Sequence, residues 1–271
     1  MFKSLYHHSS KPLQKTEEVF LFNKFRQFCA MNLIIDEGNT AFKLAVYERD
    51  TQVDFHSFES IEKQEMHSWI SDRLSTIKHV IVSSVVNNGL DLSRYNFNEL
   101  RLDEATPLPI QNEYKTPQTL GRDRLANAVG AWFKNPNQNS LVIDMGTCIK
   151  YDLTSSNGSY LGGNISPGIK MRFGALNHFT AKLPLLRRNK VAFSYGIDTN
   201  SSIHNGVEQG VYHEINGFIS KYLDDFGQLT IFMTGGDAKF FDKPFICDIF
   251  AHSDLTLFGL NKILAYNVEN T

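Results

Sequence analysis

Two apolar runs in this chain end in the same way. Leu141-Val142-Ile143 stops at Asp144, with Met145-Gly146-Thr147 behind it, and Leu33-Ile34-Ile35 stops at Asp36, with Glu37-Gly38-Asn39-Thr40 behind it. Consecutive apolar residues rich in β-branched side chains predict strands buried on both faces. Each run is followed by similar material: Ala41 to Tyr47 and Val53 to Phe58 after the first, Ile149 to Leu153 and Ser159 to Leu161 after the second, the latter pair across the turn Ser155-Ser156-Asn157-Gly158. Both stretches read as strand, loop, strand, turn, strand. A supersecondary unit stated twice predicts two related lobes facing each other across a cleft.

Between and after these units the periodicity changes. Ile61, Met66, Trp69, Ile70, Leu74 and Ile77 recur at helical spacing and predict a surface helix with one apolar face. His79 to Val86 reads as another buried strand. Ala105 to Thr119 carries prolines at 107, 109 and 117 and predicts an extended crossing between the lobes. From Leu125 onward, Ala126, Ala128, Val129, Ala131 and Trp132 predict a helix. Gly162-Gly163-Asn164-Ile165-Ser166-Pro167-Gly168 reads as a loop opening a helix over Ile169 to His178. Leu229 to Met233 reads as a strand that enters the Gly235-Gly236 turn and then a helix. The predicted organisation is an N-terminal extension over 1–30, a first lobe over 31–120 and a second over 121–271.

A carboxylate at the end of a buried strand invites a chemical reading. Asp can hold a cation through water, Gly lets a phosphate oxygen reach backbone N–H groups, and Thr adds a hydroxyl donor. The alternative is a strand-ending turn in which Asp bonds its own backbone. Gly121-Arg122-Asp123-Arg124 poses a similar choice, since it falls at the N-terminus of the helix that begins near Leu125. Asp123 suits that end as a cap, whereas two arginines oppose the helix dipole unless an anion binds there.

Composition narrows the classes. The 271 residues include 42% apolar side chains, and the formal net charge of -2 argues against a nucleic-acid surface. Cys29, Cys148 and Cys247 are too far apart in sequence to form a paired metal or disulfide motif, which fits a reducing cytoplasm. No apolar run approaches the length of a membrane span, and there is no G-x-x-x-x-G-K-[ST], G-x-G-x-x-G, H-E-x-x-H or G-x-S-x-G motif.

Asp36-Glu37-Gly38-Asn39-Thr40, Gly121-Arg122-Asp123-Arg124, Asp144-Met145-Gly146-Thr147, Gly162 to Gly168 and Thr234-Gly235-Gly236 together, in that order, resemble the type III pantothenate kinase family. The resemblance runs from Met31 to about Leu260. It implies an α/β fold of the duplicated actin/hexokinase-like (ribonuclease H-like) kind, with two lobes around a nucleotide cleft. It also implies a homodimer with composite active sites, and transfer of the ATP γ-phosphoryl group to pantothenate with Mg2+ and a monovalent cation, K+ or NH4+. Carried over by motif, Asp36, Gly38, Asn39, Thr40 and Lys43 line the ATP phosphates, with Thr147, Gly235 and Gly236 also on the nucleotide. Asp36 holds Mg2+ through water and Asp144 the monovalent cation. Tyr114, Gly121, Arg122, Asp123, Arg124 and Thr199 contact pantothenate, and Asp123 is the proton acceptor. Arg124 pairs with an anion, either pantothenate's carboxylate or the phosphoryl group. The sequence departs from the family pattern at Glu37, Arg122 and Cys148; strand alternation would send Glu37 away from the face that Asp36 occupies. Two other readings share much of the pattern: a sugar or acetate kinase of the same superfamily, and a relative that keeps the fold as a non-catalytic regulator.

Overall fold

The computed structural model describes residues 31–189, 195–240 and 245–270; the N-terminal extension expected over 1–30 lies outside them. The first sheet is built from β1 (Met31–Glu37), β2 (Ala41–Glu48), β3 (Thr51–Glu59), β4 (Ile77–Ser84) and β5 (Asn98–Arg101), in the order β3-β2-β1-β4-β5. The second comprises β6 (Gln111–Asn112), β7 (Ser140–Met145), β8 (Cys148–Thr154), β9 (Ser159–Pro167), β10 (Thr230–Thr234) and β11 (Phe250–Ala251), in the order β11-β10-β7-β8-β9-β6. With β6 set aside, the two orders superimpose: an antiparallel three-strand meander, then two strands added parallel to its first strand. The sequence repeat is therefore a repeat of topology.

Five α-helices complete the described chain: α1 (Lys63–Ser71), α2 (Arg122–Lys134), α3 (Ile169–His178), α4 (Thr199–Phe226) and α5 (Leu255–Glu269). They explain why the central strands carry unbroken apolar runs. Leu33 and Ile35 of β1 point into a cluster with Met66 and Ile70 of α1. Ile34, between them, points the other way, into a cluster with Leu125 and Val129 of α2 and Leu260 and Ile263 of α5. Leu141 and Ile143 of β7 meet α3 and α4 through Phe173, Val207, Val211 and Ile215, while Val142 faces Ala131 and Leu255. Each central strand is covered on both faces, so neither can alternate with polar residues.

Three expectations are corrected. The first predicted helix ends at Ser71, and Ile77 opens β4. The glycine-rich stretch 162–168 is mostly β9 rather than a loop: Gly163 is needed there because a Cβ would fall 1.6 Å from the Tyr151 carbonyl oxygen on β8. After the Gly235-Gly236 turn comes a single 3-10 turn over Ala238–Phe240 instead of an α-helix. The longest helix, α4, begins at a capping box in which Asp198 Oδ1 accepts from the Ser201 N–H at 2.8 Å while Ser201 Oγ accepts from the Asp198 N–H at 3.1 Å. No helix among the described residues is long and apolar enough to cross a membrane.

Candidate active site

The repeated hairpins each bring an acid opposite a base. Asp36 on β1 is the cross-strand partner of Lys43 on β2, and Asp144 on β7 is the cross-strand partner of Lys150 on β8. Directly opposed residues of an antiparallel pair share a face of the sheet. Between the partners the chain turns tightly. Gly38 N–H donates to the Ala41 carbonyl at 3.1 Å and Gly146 N–H to the Cys148 carbonyl at 3.0 Å, and these turns leave Asn39, Thr40 and Thr147 exposed. Gly235 adopts φ +91° against the second loop, where a Cβ would lie 2.4 Å from the Met145 carbonyl oxygen. Gly236 beside it is exposed, so the turn presents bare backbone next to Asp144.

Asp123, the second residue of α2, completes a chain of charges. Lys150 Nζ lies 2.5 Å from Asp123 Oδ2 and 2.7 Å from Asp144 Oδ2, with its side chain 15% exposed. Burial by itself would lower the affinity of this ammonium for its proton, but Asp144 and Asp123 outweigh burial and hold its pKa above the ordinary lysine range. Asn127, one turn along α2, reaches Asp144 Oδ2 at 3.5 Å and is itself fixed by the Thr256 hydroxyl of α5 at 2.8 Å. Asp123 also accepts the Arg124 N–H at 2.9 Å. Asp123 thus uses one oxygen on the first turn of α2 and the other on Lys150, while the N-cap position is Gly121 and has no side-chain cap hydrogen bond.

The first lobe feels these charges. Burial pushes the Asp36 carboxyl up, Lys43 pulls it back, and Asp123 and Asp144 push it up again, to about 6. Three carboxylates from two lobes are therefore close enough to repel, and Lys43 and Lys150 are the cations set among them. This suits a hard divalent cation, which needs oxygen donors and is commonly held by one or two carboxylates and substrate phosphates. Among the described residues no group of three or more metal-binding side chains forms a cage. Asp36 can therefore contribute one carboxylate to such a cation, with the remaining ligands coming from water and substrate phosphates. The monovalent cation expected on Asp144 fits less well, since the Lys150 ammonium already lies on one of its oxygens.

Behind Asp123 lies a polar cluster that faces the interior. Arg124, 3% exposed, was expected to meet a ligand anion; its Nε donates to Asp152 Oδ1 at 2.7 Å. The Tyr160 hydroxyl donates to the same oxygen at 2.8 Å. Burial pushes Asp152 up to about 6 even though Arg124 and Tyr160 pull it down. Tyr114 lies beside this pair, with the Arg124 guanidinium 5.7 Å from its ring centre and Gly162 at φ +113° against its edge. Tyr114, Gly121, Asp123 and Arg124 are thus brought together. Arg122 turns to Glu104 at 2.8 Å.

Thr199 is elsewhere in the subunit. It starts α4 and lines an open cavity of about 900 Å³ between α3 and α4, with Leu176, Phe179 and Ile203. Glu37 points away from Asp36, as alternation requires: it is 1% exposed, and Oε1 accepts the Leu90 N–H at 2.6 Å. Sequence reading missed Lys150 and Asp152. The signal for Lys150 was the repeat itself, since a lysine follows the loop aspartate in both copies, at 43 and at 150. Asp152 could have been noticed as a charge two residues further along a buried strand.

The comparisons with known proteins converge on one family. The family model described as type III pantothenate kinase matches residues 32–221. A type III pantothenate kinase of Phocaeicola vulgatus is 43% identical over 243 residues, covering 88% of this chain and 99% of its own length. That of Christiangramia forsetii is 41% identical over 240 residues, covering 88% and 99%. Solved structures agree in fold. A Campylobacter jejuni protein named for the Baf family of transcriptional activators has TM-score 0.55 and 21% identity, covering 88% of this chain and 99% of that one. The activator of 2-hydroxyisocaproyl-CoA dehydratase from Clostridium difficile, solved with ADPNP, has TM-score 0.51 and 15% identity, covering 89% and 96%. The sheets repeat the duplicated actin/hexokinase-like pattern, and with this sequence similarity along most of its length the chain belongs to the type III pantothenate kinase family.

Proposed function

We propose that this chain transfers the γ-phosphoryl group of ATP to the primary hydroxyl of pantothenate. The observation that carries this is the meeting of Asp36, Asp123 and Asp144 with Lys150 at the mouths of two duplicated hairpins. In this reading the Gly38–Thr40 turn and Lys43 take the ATP phosphates, with Thr147 and the bare backbone of Gly235 and Gly236 on the nucleotide. Mg2+, held through water by Asp36, would offset charge on the phosphates. Phosphoryl transfer depends mostly on positioning and charge stabilisation. Asp123 orients the attacking hydroxyl and takes its proton late in the step, and Lys150 holds that carboxylate in place. Tyr114, Gly121 and Arg122 border the space for pantothenate. Arg124 acts from behind, fixing the start of α2 through Asp152.

Thr199 enters this scheme through a homodimer with composite sites. The support for it is the apolar surface around the start of α4, where Phe179, Leu185, Tyr195 and Ile197 are 62–82% exposed. A second subunit would cover that surface and bring one α4 N-terminus toward the other cleft. Coupled detection of ADP with pantothenate as acceptor tests the activity, and Asp123→Asn is its informative control. The amide keeps the shape but cannot take the proton, so kcat should fall by about 10²–10⁴ with KM changing far less. Near wild-type kcat in the folded variant would remove Asp123 from the proton-accepting role.

A further inference from the structure

We infer that the ammonium of Lys150 is a built-in substitute for the monovalent cation, so that this enzyme works without K+ or NH4+. The inference rests on the kinase reading and on three features of the second lobe. First, Lys150 and Asp144 are directly opposed across β7 and β8, so the strand register delivers the ammonium to the carboxylate. Second, Lys150 bridges two acids from different elements, Asp144 Oδ2 at 2.7 Å and Asp123 Oδ2 at 2.5 Å. A single positive charge between the strand-end acid and the helix-start acid is what an exchangeable cation on Asp144 would supply. Third, the remaining surroundings of Asp144 are already committed. Asn127 Nδ2 approaches the oxygen that Lys150 holds, and Oδ1 faces the Gly235 turn so closely that a Cβ there would lie 2.6 Å away. A lysine ammonium is a compact point charge with three donors, comparable in size and charge to NH4+. Placing K+ on Asp144 as well would set two like charges within a few ångströms in a largely buried site, where their repulsion is poorly screened.

The first lobe offers an internal comparison. Lys43 is likewise opposite Asp36 across β1 and β2, whereas in the second lobe Lys150 spans two acids, Asp144 on β7 and Asp123 on α2.

The test compares wild type with Lys150→Ala in buffers whose only cation besides Mg2+ is tetramethylammonium, and in the same buffers with KCl or NH4Cl at matched ionic strength. Wild-type kcat/KM should change less than about twofold on adding K+, and Lys150→Ala should lose at least about tenfold and regain most of it with K+ or NH4+. A second readout is thermal unfolding without substrates. K+ should leave the wild-type midpoint unmoved and raise that of Lys150→Ala, because a ligand that binds only the native state stabilises it by mass action. If the alanine variant does not fold, Lys150→Gln keeps the chain length without the charge. Tenfold K+ stimulation of wild type, a K+-specific rise in its midpoint, or a variant equally active in K+-free buffer would each overturn the assignment. If pantothenate is not a substrate in any salt, the kinase reading fails on its own, and the unfolding measurements still decide the role of Lys150.

Discussion

At the scale of single residues, Asp36 has an unusual environment for a charge: it ends a strand buried on both faces and looks across the cleft at two other acids. With a folded-state pKa near 6 and an unfolded value near 4, the native state holds the Asp36 proton more tightly than the unfolded chain does. The penalty for ionising it is absent below about pH 4 and fully present above about pH 6. Asp36→Asn should therefore raise the stability of the ligand-free protein at pH 8 by about 1–3 kcal/mol, a gain that shrinks as the pH falls through 6 and is gone near pH 4. Denaturant melts of both proteins across this range would measure it; a pH-independent difference would mean that Asp36 is not strained by its neighbours. The same titration should weaken Mg2+ binding below about pH 6, because the proton competes for the carboxylate. Glu37, the neighbouring departure from the family pattern, bears on a different structure. Its carboxylate ties the end of β1 to the loop at Leu90, so its charge does not oppose phosphate in the cleft.

Among the elements, α2 matters most, since it presents Asp123 at one end and packs into the core with the rest. It crosses α5 where both helices have glycine. A Cβ on Gly259 would fall 1.8 Å from the Ala126 carbonyl oxygen, and one on Gly130 would fall 2.8 Å from the Leu255 carbonyl oxygen. Backbone cannot yield as a flexible side chain can. Gly259→Ala should thus cost about 1–3 kcal/mol or more and lower kcat, because separating the helices moves Asp123 and breaks the Asn127–Thr256 bond that steadies Asp144. Chemical denaturation and steady-state kinetics would check this; an alanine variant with unchanged stability and kcat would show that the crossing is looser than its geometry.

The elements also show what the sequence could reveal. The hairpins were legible because burial on two faces forces continuous apolar runs and tight turns require glycine. The glycines of β9 misled, because they mark close approach between strands as readily as a loop. The buried stripe of α4, Ile203, Val207, Val211, Ile215 and Ile219, has helical spacing, but glycines and polar residues between its members obscure it. Lys150 escaped notice because its role depends on pairing register, which becomes specific only once the strands are aligned.

For the whole molecule, the duplication was the most readable feature, since it was written in both motif and order. The place of Thr199 was not legible, because its spacing from the other motifs does not show that it lines a separate cavity at the start of α4. Light scattering at micromolar concentration should find a dimer, and charged substitutions at the exposed Phe179 and Ile197 should produce monomers with impaired turnover on pantothenate; a fully active monomer would remove Thr199 from the site.

The position of α5 has a consequence for how the chain acquires its structure during synthesis. Ile34, Ala45 and Ile81 of the first sheet share one core with Leu257, Leu260, Ile263 and Leu264 of the last described helix. Although α2 covers part of it earlier, the inner face of β1 and β2 must wait for a helix made more than two hundred residues later before it is closed. Such long-range closure slows folding and leaves apolar sheet surface open in the meantime. The nascent first lobe should therefore be a client for chaperones that shield exposed strands, and the two lobes should reach their native state together.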